Sequence, residues 1–388
     1  MRNPFKYGKQ VSGEQFYDRI EAANELYRIL TDGATNVVMY APRRYGKTSL
    51  VLKVLERFGA EGVPSIHFDV SKVPTLERFL DEYASSAYAL GGKLQNITHL
   101  FGEYVGHLHP TFSVGAGGSC SVRLDYGERM SAASISQVLD LPEKIAAQIG
   151  KPIVVAFDEF QEVAGLTSEF SLEKVFRSVI QAHQRTRYVF LGSKTHLMKR
   201  MFGDHARPFY NSAFNLRLGK PPIEESAAFL ADRFRAEGAE IGKEHIARIL
   251  DVSENIPYYI QALGWLTFDT MVTEGRKQVF GDDVTVAIQR LLDSNEELYE
   301  ERLRTLAPSR RALAEALAAE PTSVFDEKYR KRHGVGVTST VHSALGQLVD
   351  SGLVESDRHG YFIGDPIFAR YIRMSTPSRV VGVDGREV

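Results

Sequence analysis

Cysteine is nearly absent. The single thiol, Cys120, in 388 residues excludes an intrachain disulfide framework and any zinc site built on clustered cysteines. Such a chain suits a reducing compartment, and a cytoplasmic location is expected. Long apolar runs are missing as well. No uninterrupted stretch reaches the roughly 18 residues of a membrane helix, and the opening MRNPFKYGKQ has no apolar core, so the sequence predicts neither a membrane span nor a signal peptide. Charge of one sign is not in excess either. A formal net charge of -2 gives the whole chain no reason to seek nucleic acid or an anionic membrane, so any such binding needs a local patch. No internal repeat of roughly 20 to 50 residues is visible. What is present is an ordinary globular composition, 43% hydrophobic and 25% charged. The length is enough for roughly two or three domains.

From Asn36 to about Leu218, apolar β-type runs (NVVMYA, VPSIHFDV, PIVVAFDE, RYVFLGS, AFNLRL) alternate with amphipathic helical stretches. That alternation predicts an α/β fold with a mainly parallel sheet covered by helices, and a continuously apolar run such as IVVAF suits its centre. A Gly- and Ser-rich segment at about 105–128, with alternating residues on both sides of GAGG, reads as a β-hairpin insertion. Residues 221–306 carry helical patterns only and read as a second, helical domain. Residues 307–373 supply a helix capped near Thr338 or Ser339, a short strand, a polar turn at Asp357 to Gly360 and a returning strand. This is the outline of a winged helix. Residues 374–388 read as a loose tail.

The chemistry is concentrated in NVVMYAPRRYGKTSL. A phosphate-binding loop has the form G-x-x-x-x-G-K-[ST], in which backbone N–H groups wrap the phosphates, the lysine neutralises them and the hydroxyl helps hold magnesium. Gly46, Lys47 and Thr48 match, with Ser49 beside them, while Ala41 stands where the first glycine is usual. A Gly-Lys-Thr that only opens a helix after a turn is the competing reading; the strand before it and the amphipathic helix after it favour the phosphate loop. The second element is PIVVAFDEFQEV. An apolar strand ending in Asp158-Glu159 puts one carboxylate near magnesium and the next where it can activate an attacking water, a pairing suited to hydrolysis. At the end of RYVFLGS, Ser193 is open to two readings, a group that reaches the γ-phosphate or attacking water, or the cap of the helix KTHLMKRMF.

Together with NPFKYG, FYDRIEAANEL, LGSKTHLM, RPFYNSAFNLRL, NIPYYIQAL and YFIGDPIFARYIR, these motifs resemble the AAA+-related STAND ATPases, in particular the prokaryotic ATPase set described mainly from archaea. The resemblance covers nearly the whole chain. It implies a P-loop α/β core of the ASCE type, a helical lid with a proline at the base or ribose, and a winged helix behind. Carried over position by position, it implies Phe16 and Arg19 near adenine and Pro257 as the lid contact. Two departures stand out. Relatives read roughly P-L-Y-G-R-A where this chain has PFYNSA, so Ser212 replaces an arginine able to act at the γ-phosphate, with Arg207 close by as a substitute. Asn255 occupies a position where glycine is common. Of the loop arginines Arg43 and Arg44, one is expected at the periphery of the phosphates and the other in a structural ion pair, with a lid acid or Asp69.

The expected ligands are ATP or ADP with Mg2+, and the expected activity is an ATPase that acts as a nucleotide-controlled switch. An ATP-gated interaction module with negligible turnover is the alternative, and a phosphotransferase to a small molecule is a weaker third. Partners in view are duplex DNA, an unidentified protein and a second copy of the chain. The winged helix would present Thr340, His342, Ser343 and Gln347 on Thr338–Asp350, without Lys or Arg, so phosphate contacts would fall to Lys328, Arg330, Lys331, Arg332 and Arg358.

Overall fold

A computed structural model describes residues 1–8, 19–33, 35–91, 97–115, 120–127 and 130–375. The chain falls into two compact units, residues 19–41 with 47–218 and residues 1–18 with 42–46 and 219–388. The opening segment, assigned by sequence to the α/β domain, thus groups with the helical residues. So does the middle of the phosphate loop.

The sheet unit runs α1 (Ile20–Asp32), β1 (Asn36–Tyr40), α2 (Lys47–Ala60), β2 (Ser65–Asp69), α3 (Leu76–Leu90), α4 (Ile97–Val105), β3 (Thr111–Val114), β4 (Cys120–Arg123), α5 (Ala132–Ile149), β5 (Ile153–Asp158), α6 (Leu172–Ala182), β6 (Thr186–Gly192), α7 (Thr195–Gly203) and β7 (Ala213–Asn215). Among the described residues it holds a five-stranded sheet in the order β2-β5-β6-β1-β7, every pairing parallel. Parallel strands bring all their C-terminal ends to one edge, so the residues that follow β1, β5 and β6 converge there. The registers Asp69↔Asp158 and Tyr40↔Gly192 set which of them meet.

β5 is buried along its whole length, as a central strand covered on both faces must be. Phe157 stacks with Tyr83, Tyr188 and Phe190 and meets Phe68 edge-on. Full burial of each such ring contributes about 2–3 kcal/mol, which makes this aromatic layer a principal source of the unit's stability. Local signals set the helix ends. α3 starts where Thr75 accepts the Arg78 N–H, and α5 runs from Ser131, which accepts from Ser134, to a left-handed Gly150. β3 and β4 form an antiparallel pair whose Ser113 and Ser121 hydroxyls lie 2.7 Å apart; residues 116–119 between them, which include most of GAGG, lie outside the described set.

The helical unit comprises α8 (Ile223–Ala236), α9 (Lys243–Val252), α10 (Pro257–Thr273), α11 (Gly281–Asp293), α12 (Glu296–Arg304), α13 (Pro308–Ala319), α14 (Glu327–His333), α15 (Thr338–Asp350), β8 (Val354–Asp357), β9 (Gly360–Ile363) and α16 (Pro366–Ser375). α10 has apolar residues on nearly every side and is correspondingly buried. Gly264 is required there, because a Cβ at that position would come within 2.8 Å of the Phe5 ring. Phe5 is thereby seated among Phe229, Phe234 and α10. α11 is stapled by Asp283, which takes the Phe280 N–H at 2.8 Å and a two-pronged contact from Arg276.

α15 with the β8–β9 hairpin makes the winged helix. Gly360 has φ 134, and a Cβ there would meet the Thr322 backbone, so glycine alone closes the wing. The cap of α15 differs from expectation. Val337, extended and without a side-chain cap, precedes Thr338, so the Thr338 and Ser339 hydroxyls already lie inside the first turn. Of the expected tail 374–388, Met374 and Ser375 finish α16 and the rest lies outside the described residues.

Candidate active site

At the C-terminal edge of the sheet, β1 gives way to Ala41 and α2 opens with Lys47. The Lys47 ammonium donates to the Ala41 carbonyl at 2.7 Å. One residue on, Thr48 Oγ1 donates to Asp158 Oδ2 at 2.5 Å, so the start of α2 and the acidic end of β5 are in direct contact. The Glu159 N–H closes onto Asp158 Oδ1 at 2.9 Å. His67, from the neighbouring β2, lies 3.5 Å from Asp158 Oδ2. Burial raises the cost of charging Asp158, yet the nearby His67, the hydrogen bond from Thr48 and the positive field of Lys47 outweigh it and hold the carboxyl below its usual range.

Glu159 follows in a left-handed conformation with φ 50, unusual for a residue with a Cβ. Its Oε2 accepts three hydrogen bonds, from Gln161 Nε2 at 2.5 Å, from Ser193 Oγ at 2.7 Å and from the Ser193 N–H at 3.2 Å. Gln161 also reaches Glu162, which pairs with Lys194 at 2.8 Å. The helix-cap reading of Ser193 is therefore corrected. Lys194 is the cap residue of α7, without a side-chain bond, and the Ser193 hydroxyl is spent on Glu159. Two groups of this site carry no sequence-level signal, Gln161 and His67. Each acquires its place from strand register and from the turn after Glu159.

Ala41 does not have positive φ. The left-handed positions of the loop are Arg44, φ 73, and Gly46, φ 82, so glycine serves at the second and the chain tolerates strain at the first. Ser49 lies in the first turn of α2, and Arg19, largely buried, precedes α1. Phe16 lies outside the described residues.

Within the helical unit, Arg43 is exposed whereas Arg44 is engaged. The Arg44 guanidinium pairs with Asp365 at 2.7 Å and sits over the Tyr258 and Tyr259 rings, 4.6 and 5.0 Å from their centroids. Its acidic partner thus belongs to neither expected place. Asp365 heads α16 of the winged helix, and Asp69 instead accepts from Ser71 and pairs with Lys72. Pro257 is the first residue of α10, where its missing N–H costs nothing. The turn before it passes through Glu254, φ 47, and Asn255, φ 56; asparagine tolerates this backbone, and its Nδ2 donates to the Pro221 carbonyl at 2.6 Å.

In the sheet unit, Ser212 donates to the Phe209 carbonyl at 2.7 Å and serves its own turn. The Arg207 guanidinium is held by Glu173, whose carboxyl burial pushes up further than Arg207 pulls it down. In the winged helix, Thr340, His342, Ser343 and Gln347 are exposed while Val341, Leu345 and Leu348 are buried. The basic stretch is largely committed at home. Arg332 pairs with Glu320 and Lys331 with Glu327, both at 2.7 Å, and Arg330 donates to the Phe325 and Gly336 carbonyls.

Residues 16–263 match the profile described as "ATPase domain predominantly from Archaea", and residues 297–374 match one described as "Probable winged helix domain". Among solved structures, a Walker-type ATPase of Pyrococcus abyssi is similar with a TM-score of 0.68 at 18% identity, over 95% of this chain and 99% of that one. The ORC2 protein of Aeropyrum pernix, solved as ADPNP–ADP complexes, is similar with a TM-score of 0.55 at 14% identity, over 94% and 98% of the two chains. At these identities the likeness is one of fold. No curated protein matches the chain. With a family match over well more than half its length, joined to a phosphate loop and an acidic strand end in contact, the chain belongs to the ATPase domain family found predominantly in Archaea, and it carries a C-terminal winged helix.

Proposed function

We propose that the protein is an ATP-binding, magnesium-dependent ATPase that works as a nucleotide-controlled switch. The observation that carries this reading is the contact of Thr48 with Asp158, with Glu159 next in the chain. Lys47 neutralises the β- and γ-phosphates, Glu159 accepts the proton of the attacking water, and Ser193 and Gln161 hold the Glu159 carboxylate in place. Thr48 and Asp158 are hard oxygen donors already in contact, a fit for magnesium, which when held by them would offset phosphate charge. Gly46, Ser49 and Arg43 complete the phosphate contacts. Phe16, Arg19 and Pro257 are assigned to the nucleoside by family resemblance. Adenine nucleotides in the ORC2 relative support the choice of ATP.

The division of labour assigns nucleotide chemistry to the α/β domain expected at 1–220, less the opening segment that groups with the helical residues, a lid role to 221–306 and an effector role to the winged helix at 307–373. A cytosolic site of action fits the lone cysteine and the absence, among the described residues, of a helix long and apolar enough to cross a membrane. The reading is tested with Lys47→Ala, which should abolish ATP binding, and with Glu159→Gln, which should retain binding and lose single-turnover hydrolysis.

An ATP-gated module with negligible turnover is the second reading. It draws on Ser212 where the family resemblance implies an arginine and on the engagement of Arg207 by Glu173. A wild-type single-turnover rate indistinguishable from that of Glu159→Gln would decide for it. In that reading the winged helix contacts a protein or a second copy; α15 has no Lys or Arg, and Lys331 and Arg332 beside it are paired internally.

A further inference from the structure

Arg44 stands two residues before Gly46, inside the loop that the proposed function gives to phosphates, yet its charge is committed to the winged helix. All of its partners belong to the helical unit. Asp365 Oδ2 takes its Nη1 at 2.7 Å, Tyr258 and Tyr259 lie beneath the guanidinium, and the Tyr258 N–H donates to the Arg44 carbonyl at 3.4 Å. Asp365 is equally engaged. Its Oδ1 caps α16 by accepting the N–H groups of Ile367 and Phe368 at 3.0 Å, and the Tyr299 hydroxyl reaches Oδ2 at 3.4 Å. The carboxylate is mostly buried, and Arg302, packed over Phe368, adds to the positive field around it.

One guanidinium therefore faces two anionic claimants, a carboxylate on α16 and any polyphosphate seated in the loop. The left-handed backbone at Arg44 is part of the same arrangement, since the residue is held out of an ordinary conformation while its carbonyl and side chain both serve contacts to α10 and α16. Its neighbour in the loop, Arg43, is exposed.

We propose that the Arg44–Asp365 pair is a latch through which the winged helix competes with nucleotide phosphates for the loop. A triphosphate draws Arg44 from Asp365 and frees α16; a seated α16 weakens nucleotide binding by the same factor, because the coupling is reciprocal. The inference rests on the nucleotide-binding reading and deepens it. It assigns to Asp365, more than 300 residues from the loop in sequence, the role of a competitor rather than a ligand.

The test is calorimetric titration of the full chain with ADPNP and magnesium. Asp365→Asn removes the charge but keeps an equally good N-cap, and it should bind about fivefold more tightly than wild type, the gain expected for losing one partly exposed ion pair. Asp365→Ser, also a cap former, serves if the first variant folds poorly. In an Arg44→Gln background the same substitution should change affinity by less than about twofold, since the competitor then has nothing to compete for. Unchanged or weaker binding by both Asp365 variants, or equal tightening with Arg44 already replaced, overturns the latch while leaving nucleotide binding intact. Wild-type protein that fails to bind ADPNP overturns the underlying reading and the latch together.

Discussion

Thr48 Oγ1 and Asp158 Oδ2 are 2.5 Å apart although 110 residues separate them, and the hydroxyl donates to the carboxylate. The parallel run of β1 and β5, one strand apart on either side of β6, brings both of their C-terminal ends to the same side of the sheet and makes this possible. If the two serve as proposed, Asp158→Asn should lower magnesium-dependent ATP hydrolysis by at least roughly a hundredfold, since a metal at a phosphoryl oxygen supplies several kcal/mol of charge stabilisation. Phosphate release measured at saturating ATP and varied magnesium checks it. A rate within twofold of wild type would remove Asp158 from the metal site.

Ser193 and Gln161 both donate to Glu159 Oε2, so their replacement should act through orientation of that carboxylate. Ser193→Ala and Gln161→Ala are expected to reduce the single-turnover rate by roughly ten- to hundredfold, the scale of a misplaced reacting group, while leaving ATP affinity within about twofold. Equal losses in affinity and rate would make these residues ligands of the nucleotide instead.

Phe157 occupies the centre of the aromatic layer on a wholly buried strand. Phe157→Ala should destabilise the sheet unit by about 3–5 kcal/mol, from lost transfer energy and the cavity left behind. Urea unfolding followed by far-UV circular dichroism measures this. A loss under about 1 kcal/mol would mean that the layer collapses around the gap.

Glu143 accepts the backbone N–H groups of Gln184, Arg185 and Thr186 and the Thr186 hydroxyl. Burial works against its charge, but these donors prevail and the carboxyl lies below its ordinary value of 4.5. A carboxyl depressed in the folded state stabilises fully above that ordinary value, and the contribution is lost as pH falls through the lower, folded one. Glu143→Gln should therefore cost about 2 kcal/mol near neutrality and progressively less below about pH 4. Thermal unfolding across pH 3 to 7 follows the difference; a pH-independent gap would discount the charge.

With Arg330, Lys331 and Arg332 engaged, Lys328 and Arg358 are the cations of the stretch and wing most available to a phosphate backbone. Duplex binding that used these two would show a slope of log affinity against log salt of about -2. Fluorescence anisotropy between about 50 and 200 mM salt measures it. A slope of about -5 or steeper would show that the internal pairs open on DNA.

Chemistry carried by neighbouring residues is legible in the sequence by itself. Gly46-Lys47-Thr48 and Asp158-Glu159 each need only a strand end and a short turn, and period-two and period-3.6 patterns mark such ends. The buried and exposed faces of α15 are legible for the same reason. Relations between distant residues are not. Ser193 is ambiguous in the sequence because a hydroxyl before a helix has the same local signature whether it caps that helix or bonds to a carboxylate on another strand, and only the placement of β6 beside β5 decides. Gln161 and His67 have no local pattern at all, and Arg207 looks available until Glu173 meets it from α6. Arg44 shows the division most clearly. Its charge beside a phosphate loop is a property of the sequence, but the choice of Asp365 over nearer acids depends on how α16 packs, and that is settled by the burial of apolar faces throughout the unit, which no short stretch of sequence contains.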